Sequence, residues 1–375
     1  MPEVQDIFQM HGVEYRETRS PSYVQLRAMS AIEKCRTAEL GAHNDVCDSC
    51  GVVEISYNSC RNRHCPKCQT LAKERWIDNQ KYNLLNVKYF HVVFTVPDIL
   101  RPVIYQNQES LYSLLFRAVA ETLHELSTDR KFLGAKIGFT SLLHTWGQNL
   151  SFHPHLHCII PAGGLNDFGA WVDSRNDFFI PVRVLSRKFR GKLLYLLKSQ
   201  KLEFFGEQSY LSDSKHFLDL LDSAYQKEWI VYCKQPFKSV NSVIEYLGRY
   251  THRIAISNNR ILSFEDRQVT FKWRDYKDNN QWKNMMLPVL EFMRRFLMHV
   301  LPHRFMKIRH YGLLANRDKI KRLTICKWLT GTPITDKIKA STLDILSRIL
   351  GRDPTLCLHC GKPRYPSGNS PPLCA

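Results

Sequence analysis

Apolar positions along the chain switch repeatedly between helical and strand spacing. Residues 1–33 form an amphipathic helical pattern through Val24, Leu26, Ala28 and Ile32. A helix over about 70–85 leads into Lys88-Tyr-Phe-His-Val-Val-Phe-Thr-Val-Pro97, whose β-branched and aromatic run, closed by proline, predicts a buried strand. Helical spacing returns over 108–127, with Leu111, Leu115, Val119, Leu123 and Leu126 as core. Strands are predicted from Lys136 to Trp146 and from His155 to Pro161, the latter closed by Gly163-Gly164. A hairpin within Trp171 to Pro181 precedes two helices with basic faces, which include Arg183, Arg187, Lys188, Arg190 and Lys192. Between Ser239 and Ile256, Val243, Tyr246, Leu247 and Tyr250 fall at helical spacing. Two strands, 260–264 and 269–273, and a helix from Phe292 to Leu301 with further basic helices complete the pattern.

Charge narrows the class of partner. The 375 residues hold 53 Lys+Arg against 35 Asp+Glu, a formal net charge of +18. Such a chain meets a polyanion, and nucleic acid fits better than a membrane surface because no basic amphipathic anchor occurs. No apolar run reaches membrane-spanning length, and the polar start Met-Pro-Glu-Val-Gln-Asp argues against a signal peptide. A cytoplasmic, nucleoid-associated location is therefore expected. No Gly-rich phosphate loop of the Walker kind is present, so strand separation falls to another protein, such as a host helicase.

The 12 cysteines concentrate in Cys-x-x-Cys pairs, which in an intracellular chain favours metal thiolates over disulfides. Cys47-Asp-Ser-Cys50-Gly51 and Cys65-Pro-Lys-Cys68 stand 14 residues apart and predict one structural Zn held by Cys47, Cys50, Cys65 and Cys68. Cys35, His43, Cys60 and His64 remain for a second, interleaved zinc, although His64 can equally face DNA phosphate. Arg61, Arg63 and Lys67 make this module a DNA grip. Cys357-Leu-His-Cys360-Gly361 is a lone knuckle with an incomplete ligand set nearby.

Catalytic chemistry gathers around Gln148 and His153-Pro-His155-Leu-His157. On a strand, His155 and His157 share one face and make half a metal site. Gln148 is the best-placed oxygen donor for a third ligand. A nitrogen and oxygen set with open positions suits Mg or Mn. Tyr246 and Tyr250 lie one helical turn apart on one face. Taken alone, the histidines also read as a polar strand face and the tyrosines as amphipathic core.

Together, Asn58-Ser-Cys-Arg-Asn-Arg-His-Cys-Pro-Lys-Cys68, Trp146-Gly-Gln…His153-Pro-His-Leu-His157, Tyr246-Leu-Gly-Arg-Tyr-Thr-His-Arg253 and Phe305 to Ala315 resemble the HUH-superfamily two-tyrosine transposases of rolling-circle insertion sequences. The resemblance covers about residues 30–320. It implies an α+β fold: an HUH-type central antiparallel sheet flanked by helices, a small N-terminal zinc-binding domain and a helical C-terminal region. It also implies metal ligation by His155, His157 and Gln148, with His153 a rival for the third place. Tyr246 and Tyr250 would be the nucleophiles, with Arg249, His252 and Arg253 favouring the phenolate and Arg249 and Arg253 contacting DNA. The substrate would be single-stranded DNA at element ends and target. Two other readings remain: a non-catalytic zinc-dependent DNA-binding protein, and a metal-dependent hydrolase built on His153, His155 and His157. The expected organisation is a helical segment (1–33), a zinc-binding domain (34–70), a catalytic domain (71–280), a basic helical region (281–351) and a Cys-containing tail (352–375).

Overall fold

The computed structural model describes residues 2–175, 179–237, 242–244, 246, 248, 255–276, 278–336 and 340–363. The N-terminal stretch forms two helices, α1 (Val4–Thr18) and α2 (Tyr23–Glu33). Pro21 interrupts the first pattern, and Ser22 caps the second helix by accepting the Gln25 N–H. β1 (Ala42–Val46) and β2 (Val53–Tyr57) make a small hairpin, followed by α3 (Gln69–Lys81). β3 (Tyr89–Thr95), α4 (Arg101–Gln106), α5 (Gln108–Thr128), β4 (Gly138–Trp146) and β5 (Phe152–Pro161) come next.

The hairpin expected within 171–181 forms one step earlier, between β6 (Gly163–Leu165) and β7 (Trp171–Asp173). Asn166 decides this by turning the chain at once, its side chain accepting the N–H groups of Phe168 and Ala170. Then follow α6 (Val182–Lys198), α7 (Ser214–Gln226), β8 (Val231–Phe237), β9 (Ile261–Glu265), β10 (Gln268–Asp275) and β11 (Gln281–Pro288). The described residues end with α8 (Val289–Leu297), β12 (Ile308–Gly312), α9 (Lys319–Leu329) and α10 (Thr342–Leu350). Residues 281–351, expected as helical, thus also hold two strands.

The central sheet is antiparallel throughout, in the order β12-β4-β5-β3-β8. Strand alternation gives β5 two unlike faces. Leu156, Cys158 and Ile160 pack with Leu115, Val119 and Phe189 of α5 and α6 in the main core. His155, His157 and Ile159 face the other way, and Ile159 packs with Tyr89, Leu142 and Val243. A second core joins Phe8 and Met29 to Phe271, Phe292 and Phe296, with the Phe8 and Phe296 rings edge-on at 5.4 Å. Residues 1–33 are therefore not a free-standing segment, because their apolar face is buried on β9–β11 and α8.

Candidate active site and metal centres

The sheet register collects imidazoles on the face away from α5. Residues directly opposite on neighbouring strands share a face. His144 on β4 pairs with His155 on β5, and Val93 on β3 pairs with His157. His91 lies opposite Ile159, which puts it on the same face as His157. One nitrogen from each of His144, His155 and His157 lies within 4.8 Å of the other two. That spacing and the donor set fit one divalent ion.

The hydrogen bonds sort the ring nitrogens. His155 Nδ1–H donates to the His153 carbonyl at 2.6 Å, which leaves its Nε2 as the nitrogen that can serve an ion. His157 Nδ1 lies 2.9 Å from His91 Nε2 and 3.0 Å from Tyr246 Oη. With Nδ1 engaged there, Nε2 is the nitrogen that can serve an ion. Burial holds these rings in the neutral form a metal requires: His91 is pushed down to about 3 and His155 to about 4, and His157 lies well below the usual range.

Tyr246 is the second part of the site. Residues 242–244, 246 and 248 are helical and lie across the histidine face. The Tyr246 hydroxyl is 2.7 Å from His91 Nε2 and 3.0 Å from His157 Nδ1, and its ring packs on His91 and Phe237. A phenol donating to His91 Nε2 while accepting His157 Nδ1–H satisfies both contacts. Tyr250, Arg249, His252 and Arg253 lie outside the described residues.

Gln148 sits in the turn after β4, where its side-chain NH2 donates to the Tyr276 hydroxyl at 3.0 Å and its backbone carbonyl accepts from Arg260. His144 stands beside His155 and His157 as a third imidazole, because antiparallel pairing sets β4 against β5. His153, the rival, contributes its carbonyl to His155. Sequence reasoning also missed His91 and Arg101. The Arg101 charge bears on His153 and His155, and its buried Nε has no hydrogen-bond partner among the described residues. For His91 the signal was present: it stands on the same predicted strand face as Val93, beside the histidine strand.

The cysteines also group differently from the expected sets. Cys35, Cys60, Cys65 and Cys68 form one quartet, and Cys47 and Cys50 are joined by Cys357 and Cys360. In the first, Sγ–Sγ separations are 3.5 Å for Cys35–Cys68 and 3.6 Å for Cys60–Cys68. A tetrahedron with Zn–S bonds of about 2.3 Å has edges of about 3.8 Å, so the spacing suits zinc. His43 is exposed on β1 and outside both quartets. His64 is buried, and its Nε2 accepts the Leu301 N–H at 3.1 Å, so it braces the backbone instead of meeting a metal or DNA.

Of the expected DNA contacts, Arg61 is exposed and carries a left-handed backbone (φ 52°). Arg63 is turned inward onto the Phe305 carbonyl at 2.7 Å, and Lys67 is held by Glu3 and Gln5. Arg61 instead shares a groove with Arg27, Arg304, His303 and the exposed Tyr23. Among the described residues no helix is long and apolar enough to cross a membrane.

Comparisons with known proteins agree with this layout. A family described as "Transposase zinc-binding domain" matches residues 7–96, and one described as "Putative transposase" matches residues 138–321. The chain is 46% identical over 369 residues to "Putative transposase y4qJ" of Sinorhizobium fredii, covering 96% of this chain and 93% of that protein. It is 28% identical over 300 residues to the transposase for insertion sequence element IS801 of Pseudomonas savastanoi pv. phaseolicola, covering 78% of this chain and 71% of that one. Among solved structures, the conjugative relaxase TrwC in complex with oriT DNA aligns with 43% of this chain and 71% of its own, at 13% identity and a TM-score of 0.25. That last likeness is too remote to bear on function.

Proposed function

Because the chain belongs to the transposase family of rolling-circle insertion sequences, we propose that it nicks and rejoins single-stranded DNA through tyrosine–DNA intermediates. The observation that carries this reading is the Tyr246 hydroxyl, 2.7 Å from His91 and 3.0 Å from the candidate ligand His157. A divalent ion held by His144, His155 and His157 would draw charge from the non-bridging oxygens of a scissile phosphate. Three imidazoles without an oxygen donor shift the preference from Mg towards Mn.

Tyr246 attacks phosphorus through its phenolate, whose proton is released to solvent, while the contact with His91 Nε2 holds the phenol oxygen in place. The new bond joins Tyr246 Oη to the 5′ phosphate, and the bond to the 3′ oxygen breaks, releasing a 3′-OH once protonated. No phosphodiester energy is lost, so a second 3′-OH can reverse the step and join a new strand without ATP. Arg101, whose charge is felt at His153 and His155, is suited to meet the phosphate charge that grows in the transition state. Tyr250, four residues further along the sequence, serves as the second nucleophile and holds the other cleaved end. The groove of Arg27, Arg61 and Arg304 takes the backbone of the bound strand, and Tyr23 offers a ring on which a base stacks. Strand separation comes from a host helicase in the cytoplasm, at the nucleoid.

The test is incubation with Mn or Mg and labelled single-stranded oligonucleotides from element ends, followed by denaturing electrophoresis. A covalent adduct is expected. Tyr246→Phe and Tyr250→Phe should each keep some nicking and lose complete strand transfer, and the double variant should give no adduct. A double variant that still forms an adduct overturns the tyrosine assignment. A wild-type protein that binds these strands yet never forms one leaves only the DNA-binding reading.

A further inference from the structure

Cys47, Cys50, Cys357 and Cys360 come from opposite ends of the described chain and belong to no mechanism above. The two pairs have matching backbones. Gly51 N–H donates to the Cys47 carbonyl at 2.8 Å, and Gly361 N–H to the Cys357 carbonyl at 2.9 Å. Cys47 N–H donates to Val52 O, and Cys357 N–H to Lys362 O, both at 2.9 Å. Each pair is followed by a glycine in the left-handed region, φ 70° at Gly51 and 71° at Gly361, which a side chain would strain. Backbone N–H groups point at the first sulfur in both turns: those of Ser49 and Cys50 at Cys47, and those of His359 and Cys360 at Cys357. These are two copies of one metal-binding turn.

The turns face each other, with Cys47 Sγ 3.5 Å from Cys360 Sγ and Cys50 Sγ 3.7 Å from Cys357 Sγ. A disulfide needs about 2.0 Å, whereas a tetrahedral zinc thiolate needs about 3.8 Å between sulfurs. We infer that these four cysteines bind a zinc ion of their own, a clasp that ties residues 352–363 to the β1–β2 hairpin. The clasp explains how α10 stays on α3. Between those helices, Arg348 pairs with Asp78, and Arg75 donates to Thr342 at 2.6 Å, while Ile345 is the buried residue of α10. Exposed ion pairs contribute little, and one isoleucine buries little apolar area, so the helix needs an anchor. The anchored helix has a further consequence. Ile77 of α3 lies where a Cβ on Gly248 would come within 2.8 Å, so α3 forms the seat of the segment that carries Tyr246.

Metal analysis of the full chain tests the clasp. Two zinc ions per chain are expected for the wild type, and one for Cys357→Ser/Cys360→Ser. Cys47→Ser/Cys50→Ser should also bind one, and combining all four changes should remove no more. Replacing zinc by cobalt guards against a variant that merely misfolds: the tail variant should keep half of the thiolate-to-cobalt absorption. Its α10 amides should exchange about tenfold faster or more, while α5 is unchanged. An undiminished zinc count in the tail variant overturns the proposal. So does iron in this site, or a wild-type mass showing that the four thiols are oxidised to disulfides.

Discussion

The histidine face and the cysteine quartets are both candidate metal centres, yet they are built in opposite ways. His144, His155 and His157 stand on adjacent strands of a five-stranded sheet whose other face is closed by α5 and α6. Their rings are positioned by burial and by bonds such as His155 to the His153 carbonyl. The cysteines sit on turns. The β1–β2 hairpin beside them leaves Val53, Ile55 and Tyr57 exposed, and a lone two-stranded hairpin is marginal in water. In the first case the fold makes the site. In the second, little besides a metal is there to hold the turns together.

The largest effect should come from the Cys35, Cys60, Cys65 and Cys68 quartet. Structural zinc contributes about 10–16 kcal/mol to folding in isolated fingers. Cys65→Ser should therefore unfold residues 35–68, seen as rapid proteolysis within that segment, while the β3–β5 amides stay protected. Mild removal of the ion at the histidines should leave the far-ultraviolet circular dichroism unchanged. If the sheet melts on chelation, the contrast between the two centres fails.

Next in size is the loss of a histidine ligand. His157→Ala should lower the nicking rate about a thousandfold, the equivalent of about 4 kcal/mol of lost transition-state stabilisation. DNA binding at low salt should change little, because affinity comes from contacts of Lys and Arg with phosphates. A single-turnover assay at saturating Mn would read this directly, and a near-normal rate would remove His157 from the metal site. The comparison sharpens with His144→Ala beside Gln148→Ala. The first should weaken Mn binding about 10- to 100-fold, the size seen when a metal site loses a supporting group. The second should leave Mn affinity within about twofold, because removing an oxygen that water can replace costs little. The reverse order would restore Gln148 as the third ligand.

The smallest effect is a pH dependence of the sheet's surroundings. Burial pushes His299 down to about 4, and His310 likewise to about 4. Both are neutral when folded and become protonated more readily once unfolded. Their contribution to stability is present above about pH 6.5 and is lost as pH falls towards about 4. Denaturant midpoints measured across that window should fall for the wild type. The slope should be shallower for His310→Gln, which keeps a polar partner for Thr140 without the titration.

Local chemistry was legible in the linear order of residues. A period of two puts His155 and His157 on one face, proline closes β3, and Cys-x-x-Cys-Gly specifies a metal-binding turn wherever it occurs. These need only neighbours along the chain, so the zinc module, the histidine strand and the Tyr246 helix could be located without a fold. Choosing between distant partners was another matter. Spacing made Cys47 and Cys50 natural mates for Cys65 and Cys68, yet they meet Cys357 and Cys360, more than 300 residues further along the chain. Register, which spacing does not reveal, set His144 against His155 and left Gln148 to Tyr276. His64 looked like a ligand until burial gave it a backbone N–H to accept. A side chain's type and its nearest neighbours state what it can bind. Which of several equivalent partners it meets depends on how strands pair and helices pack hundreds of residues away, and only the tertiary structure decides that.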